Sequence, residues 1–427
     1  MPGHKGKGSL GCEAFDITEI KGADVLYSPK GIIEESENFA SELFGTAHTF
    51  YSAEGSTLAI KAMLALVATR AAKGEHKPLV LAARNVHKAF VYAAGLLDLD
   101  VEFIYPKAGG HLCACNISAE DVEEGILALS RRPCAVYITT PDYLGNLLDV
   151  KAISSVCKKY GIPLLVDNAH GAYLKFIKPD IHPITLGADM CCDSAHKTLP
   201  ALTGGAYLHI SKSADPSFLE SAREKLSIFA STSPSYLILA SLDLCNKKLA
   251  EGYGEEIAKA AVDVMRVKNK LSSAHIPVEN SEPMKIVVKA SDMGFTGEEL
   301  SEYLRENRIE AEFYDRDYLV LMCSAENEDG DFERLISALS AIRKREPIEK
   351  SEAAYMNEKP QRTMTIREAL FAECEAVAVE EAVGRICASV SVSCPPAVPI
   401  NICGEVITDA SVALYKKHGI DRVCVVK

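Results

Sequence analysis

No apolar run in this chain approaches the roughly 18 residues that a membrane-spanning helix needs, so no membrane association is expected. No secretory leader pattern opens it, and neither an internal repeat nor a low-complexity tract interrupts it. Positive charge is in deficit: the formal net charge is −13, which argues against a nucleic-acid partner. The 14 cysteines form no repeating framework. Cys113-x-Cys115 and Cys191-Cys192 are the close pairs, and neither has the second half that a zinc site requires, so no metal is expected. Unpaired thiols in a chain of enzyme size point to a reducing, cytoplasmic setting.

What is present is an alternation. The chain has 427 residues, 48% apolar and 25% charged, the balance of a globular protein long enough for two or three cores. Short β-branched and aromatic runs stand at His48–Tyr51, Pro78–Leu81, Val101–Tyr105, Ala135–Thr139, Ile162–Asp167, Ala188–Asp193 and Gly205–Ile210. The stretches between them suit crossover helices. This pattern predicts an α/β fold with a mainly parallel seven-stranded sheet flanked by helices. Helical character follows from Phe218 to Leu271. A smaller α+β region begins near Ile276, with strands at Lys285–Lys289 and Tyr318–Cys323 and a helix over Asp331–Lys344. Arg345–Arg362 is charged, holds two prolines and reads as a linker. The last segment carries a helix over Thr365–Cys374 and the proline-rich Cys394-Pro395-Pro396-Ala397-Val398-Pro399. The expected units are residues 1–265, 266–346 and 347–427.

In such sheets ligands sit beyond the carboxyl ends of the strands. One strand end leads into Asp193-Ser194-Ala195-His196-Lys197-Thr198-Leu199-Pro200. Another, Leu164-Leu165-Val166-Asp167, ends in a carboxylate 30 residues before Lys197. A lysine for an aldehyde and an acid for a pyridinium nitrogen are the two groups that pyridoxal 5′-phosphate (PLP) demands of a protein. Lys197 is therefore the candidate Schiff-base lysine, and Asp167 the candidate ring partner. Gly55-Ser56-Thr57 opens an apolar stretch where first-turn amides and hydroxyls would cradle a phosphate; an ordinary helix cap is the alternative. Ser194 and His196, flanking the lysine, are added donors. His87 either stacks on the cofactor face or sits at a surface helix start. His170 either contacts the ring, orients Asp167, or is structural.

These segments resemble the Orn/Lys/Arg decarboxylases, in a short form, and the resemblance runs nearly end to end. It rests on Pro2-Gly3-His4-Lys5-Gly6, Gly55-Ser56-Thr57, Arg84-Asn85-Val86-His87-Lys88, Asp167-Asn168-Ala169-His170-Gly171, the long Ser194–Thr203 run and Ser231-Thr232-Ser233-Pro234-Ser235-Tyr236. The resemblance implies a fold-type-I PLP enzyme of the aspartate aminotransferase superfamily. It also implies that His87 stacks on the cofactor and that Ser231 and Thr232 approach its phosphate across a homodimer interface, giving shared active sites. In the family the first of these motifs follows an N-terminal helix, so an earlier start is expected. Departures fall at Glu54, at Asp142 and Leu144 of Thr140-Pro141-Asp142-Tyr143-Leu144-Gly145, and at Cys394 and Asn401-Ile402-Cys403.

The activity this implies is decarboxylation of arginine, lysine or ornithine to the corresponding polyamine-pathway amine. Glu312, Asp315 and Asp317 are candidates for the substrate's distal cation. An aminotransferase or another PLP lyase on the same fold is one alternative, since the cofactor residues serve all of these. An inactive PLP-binding regulatory paralogue is the other.

Overall fold

The structure is a computed structural model, and it describes residues 1–71, 76–107, 110–349, 359–392 and 397–427. Residues 350–358 of the expected linker and Cys394–Pro396 of the proline-rich loop lie outside the described residues. Seven short strands form the centre: β1 (His48–Ser52), β2 (Leu79–Ala83), β3 (Asp100–Ile104), β4 (Ala135–Thr139), β5 (Leu164–Asp167), β6 (Met190–Asp193) and β7 (Ala206–Ile210). Each lies within two residues of its expected bounds. The sheet order is β1-β7-β6-β5-β4-β2-β3. Neighbours from β3 to β6 are parallel, and β7 is antiparallel to both β6 and β1.

Helices cover both faces, which is why β2, β5 and β6 read as continuous apolar runs. Cys191 and Cys192 fill β6 as small buried side chains. The Gly55–Ala71 helix is apolar on nearly every side. It lies between the sheet and the Pro216–Phe229 helix, so almost no face of it meets water. On the opposite face, Val150–Lys159 buries Val150, Ile153 and Cys157, and Asp149 caps its start by accepting from the Ala152 N–H at 2.9 Å.

The register brings the functional loops together. Thr139 at the end of β4 pairs with Asp167 at the end of β5, and Asp167 with Cys192, one residue before the end of β6. Because β7 is antiparallel, its start lies at the same edge, where Ala206 faces Ser52 at the end of β1. The segments that follow β1, β2, β4, β5 and β6 therefore meet at one rim of the sheet.

The helical stretch after β7 resolves into Pro216–Phe229, Tyr236–Lys248 and Gly254–Ser273, the last two joined by a π turn over Leu249–Tyr253. The expected change of unit at 265/266 falls inside the last of these helices. A smaller antiparallel sheet follows, with β8 (Lys285–Lys289), β9 (Phe313–Tyr314) and β10 (Tyr318–Met322) in the order β8-β10-β9. In the C-terminal segment the expected helix over Thr365–Cys374 is corrected. It ends at Leu370, and Cys374 instead opens β11 (Cys374–Ala378), paired with β12 (Arg422–Val426). Ile366 and Ala369 are buried, but Phe371 is exposed, so the helical apolar spacing fails and the strand ladder takes the remainder.

Candidate active site

At the sheet rim lies a partly open cleft of about 190 Å³. Gly55, Ser56, Thr57, His87, Asp167, His170, Ser194, His196 and Lys197 all line it. Of the expected cofactor residues, Ser231 and Thr232 stand apart, and the acidic candidates Glu312, Asp315 and Asp317 are likewise not among the residues lining the cleft. Ser231 and Thr232 are exposed on the surface, where the Ser231 N–H donates to the Glu54 carboxylate at 2.6 Å.

Lys197 sits on the helical turn Ala195–Thr198 directly after β6. Its Nζ donates to His170 Nε2 at 2.9 Å and lies 5.6 Å from the centroid of the Tyr143 ring. Burial, and then the Lys285 and Lys197 cations, push His170 well below the ordinary histidine range, which favours the neutral ring that accepts a hydrogen bond from the lysine. Its Nδ1 has no hydrogen-bond partner. His87 caps the Lys88–Leu96 helix, its Nδ1 accepting from the Ala89 N–H at 3.1 Å. Burial lowers its proton affinity as well. His87 thus caps a helix and also lines the cleft. His196 Nδ1 is tied to the Gly205 carbonyl at 2.9 Å.

Asp167 is 2% exposed. It accepts from the Tyr137 hydroxyl and the Ala169 N–H, both at 3.2 Å, and from the Cys192 thiol at 3.6 Å. All three donors are neutral, and among the described residues no cation pairs with it. A carboxylate so buried calls for a positive partner. Next to it, Asn168 donates to Asp193 at 2.7 Å, joining the ends of β5 and β6. Asp193 also accepts from His182 at 2.9 Å and His209 at 3.1 Å. Burial works to raise Asp193, but the two imidazoles hold it below the usual carboxylate range.

The opposite end of the cleft suits an anion. Ser56 and Ser194 hydroxyls meet at 2.6 Å. Gly55 has φ +68°, a conformation that favours glycine, and opens the Gly55–Ala71 helix; its own N–H donates to the Gly204 carbonyl at 2.8 Å, and the amides that follow in the first turn have no intrahelical acceptor. Asn85 Oδ1 and Thr139 Oγ1 are buried without partners on the cleft wall. A phosphorylated pyridine aldehyde therefore fits these residues: orphan polar atoms, an anion cradle, an unpaired carboxylate and a lysine face one space.

Several lining residues were not expected. Thr139 obeys the strand-end rule that singled out Asp167, so a signal existed. Tyr143 makes an edge contact with His170 at 4.7 Å and lies beside Phe313 of β9 at 5.9 Å. Cys113 and Val398 arrive from distant segments with no local signal. Asp142 also lines the cleft. Its carboxyl is occupied by Asn146 through bonds of 2.9 and 2.8 Å, and burial raises its pKa.

The three acidic candidates separate. Asp315 is bonded to His111 and caps its own turn; against the raising effect of burial, these contacts hold it at about 2. Asp317 accepts from Lys417 at 2.7 Å. Glu312 is half-buried, has no ion pair among the described residues, and is close enough to His196 and Lys285 for its charge to act on both.

This sheet, with a lysine after β6 and an acid at the end of β5, defines a fold-type-I PLP-enzyme architecture. The E. coli constitutive lysine decarboxylase superposes with a TM-score of 0.79 over 100% of this chain and 79% of that one, at 17% identity. Residues 12–290 match the Orn/Lys/Arg decarboxylase major domain, and residues 349–417 match the C-terminal domain of the same family. An arginine decarboxylase of Bacillus subtilis is 29% identical over 449 residues, covering 98% of this chain and 89% of the relative. One from Halalkalibacterium halodurans is 31% identical over 457 residues, with the same two coverages. The chain belongs to the Orn/Lys/Arg decarboxylase family and is an enzyme of the amino-acid decarboxylase class.

Proposed function

We propose that the chain is a PLP-dependent decarboxylase of a basic L-amino acid, arginine, lysine or ornithine, releasing the polyamine-pathway amine and CO2. The observation that carries this reading is Asp167, a buried carboxylate with neutral donors only, in one cleft with Lys197. When bound, PLP supplies an aldehyde for the substrate amine and an electron-withdrawing ring that stabilises charge at Cα as CO2 departs. Ser56, Thr57, Ser194 and the amides opening the Gly55–Ala71 helix hold the phosphate. Asp167 keeps a proton on the ring nitrogen, because an adjacent anion favours the protonated form. His87 is assigned to the ring face, and His196 to the phosphate side. Lys197 supplies the amine that anchors the aldehyde and, once displaced, carries protons near Cα. Neutral His170 orients that ammonium by accepting from it. Glu312 receives the distal cation of the substrate, being the one acidic candidate of the three without a cation partner among the described residues.

The same reading assigns cofactor binding to residues 1–265, with 266–346 and 347–427 closing the cleft. It takes a homodimer as the working form, Ser231 and Thr232 serving the partner's phosphate. It assigns the protein to the cytoplasm, in keeping with cysteines that are all free among the described residues. Among those residues no helix is long and apolar enough to cross a membrane.

The test is a mass-spectrometric product screen of the protein with PLP and, separately, L-arginine, L-lysine and L-ornithine. Agmatine, cadaverine or putrescine with CO2 is expected from one of them. A keto acid or aldehyde without the amine would transfer the reading to the aminotransferases or other lyases. Cofactor binding without any product would leave a non-catalytic PLP protein.

A further inference from the structure

Two lysines of the chain lie buried where no ligand is needed to explain them. Lys268, 6% exposed, donates to the Ser281 carbonyl and hydroxyl, each at 3.0 Å, and to the Glu282 carbonyl at 2.7 Å. Lys285, at the start of β8, is fully buried. Its Nζ donates to the Asp142 carbonyl at 2.8 Å and lies 3.8 Å from the Glu282 carboxylate. Burying an ammonium is costly unless it is paired and hydrogen-bonded, so the location of Lys285 needs a cause.

That cause is the turn over Asp142–Gly145. The Glu282 N–H donates to the Gly145 carbonyl at 2.7 Å, so the turn is fastened to the Ser281–Lys285 segment at both ends. Gly145 has φ +74°, and a Cβ there would stand 2.8 Å from the Ser281 Cβ, a seat that admits only glycine. The far side of the segment is fixed too, since the Tyr173 hydroxyl donates to the Glu282 carboxylate. Between the two fastenings lies Tyr143, whose ring faces Lys197 and His170.

We propose that Lys285 is a positioning residue: its ammonium, set between the Asp142 carbonyl and the Glu282 carboxylate, holds the Asp142–Gly145 turn so that Tyr143 covers Lys197. The smaller sheet thereby builds one wall of the cleft without touching a ligand. The bearing of this on catalysis rests on the proposed function, whereas the positioning itself does not.

The chain contains no tryptophan, so Tyr143→Trp gives a single reporter in the full-length protein without added cofactor. Adding Lys285→Met to it is expected to move the emission to the red and to raise acrylamide quenching about threefold, and Lys285→Arg to restore most of the original signal. Lys268→Met, which removes a buried lysine bonded to Ser281 and the Glu282 carbonyl and not to the turn, is expected to leave the emission in place. Unchanged emission in Lys285→Met, or an equal shift in Lys268→Met, overturns the proposal. Should Lys285→Met not fold, Gly145→Ala dislodges the turn from the same seat with Lys285 kept. It must then shift the reporter, and a fixed emission there refutes the assignment. None of these readings depends on turnover, so failure of the decarboxylase reading registers separately, in the product screen.

Discussion

Lys197 was legible in the sequence because a long motif surrounds it, and Asp167 because it closes an apolar strand 30 residues before that motif's lysine. What the sequence did not carry was the state of their partners. Among the described residues Asp167 has neutral donors only. Asp167→Asn keeps the shape but removes the charge that the proposed function assigns to the ring nitrogen's proton. PLP binding is expected to weaken and turnover to fall by about two orders of magnitude, a barrier change of roughly 3 kcal/mol. Cofactor absorbance and kcat measure this, and an active variant would mean that another group serves the ring. Glu312 shows the reverse limit. Sequence placed it among three equivalent acids, and only the ion pairs of Asp315 and Asp317 separate them. If Glu312 receives the distal cation, as proposed, Glu312→Gln removes a contact with a part of the substrate that does not react, so KM for the basic amino acid is expected to rise about tenfold with kcat little changed. An unchanged KM excludes Glu312 as the distal site.

Elements were legible where periodicity was clean and obscure where partners lay far along the chain. The strands of the main sheet were found because burial on both faces leaves continuous apolar runs. The helix over Thr365–Cys374 was overextended because β11 owes its ladder to β12, some 50 residues later, which no local window contains. The same holds for the loop after β2. Arg84, fully buried, donates to the Pro399 carbonyl at 3.0 Å and the Ile400 carbonyl at 2.8 Å, and lies 3.5 Å from the Glu405 carboxylate. The Lys88 N–H reaches the Ala397 carbonyl at 3.0 Å. The loop carrying Asn85 and His87 is thus fastened to the C-terminal segment, and burial raises the pKa of Glu405. Arg84→Met strands that carboxyl and two carbonyls, and is expected to cost about 3–5 kcal/mol in urea unfolding. Arg84→Met with Glu405→Met should cost less than the sum of the single changes, because no buried charge is left alone. Strict additivity would show that the two groups do not act as a pair.

At the scale of the molecule, the main body, the smaller sheet and the C-terminal segment meet around His111, Asp315, Asp317, Lys417 and His418. Burial pushes His418 down to about 4, a shift opposed by Asp315 and Asp317 and reinforced by His111 and Lys417. Its folded pKa lies below the ordinary value near 6.5, so the unfolded chain takes up the proton first. Stability is therefore expected to fall as pH drops from about 6.5 to about 4, by about 2 kcal/mol after discounting for the part-exposed ring. His418→Gln should flatten that slope in melting curves, and an unchanged slope would assign it to other groups. The other question at this scale concerns a second copy. Ser231 and Thr232 lie outside the lining of the cleft and stand exposed, with the Ser231 N–H on Glu54, itself next to the Gly55–Thr57 cradle. Leu202, 52% exposed, and Phe15, 72% exposed, are large apolar side chains left facing solvent in the single chain. If Ser231 and Thr232 complete the partner's phosphate site, dilution below the dimer dissociation constant should release cofactor and abolish turnover together. Ser231→Ala should weaken PLP in a dimer that still forms, since the phosphate loses a donor worth about 1–2 kcal/mol. Sedimentation and cofactor absorbance followed over the same dilution series test this directly. A monomer that keeps its cofactor and its activity would confine the site to one chain and make Ser231–Tyr236 a surface loop.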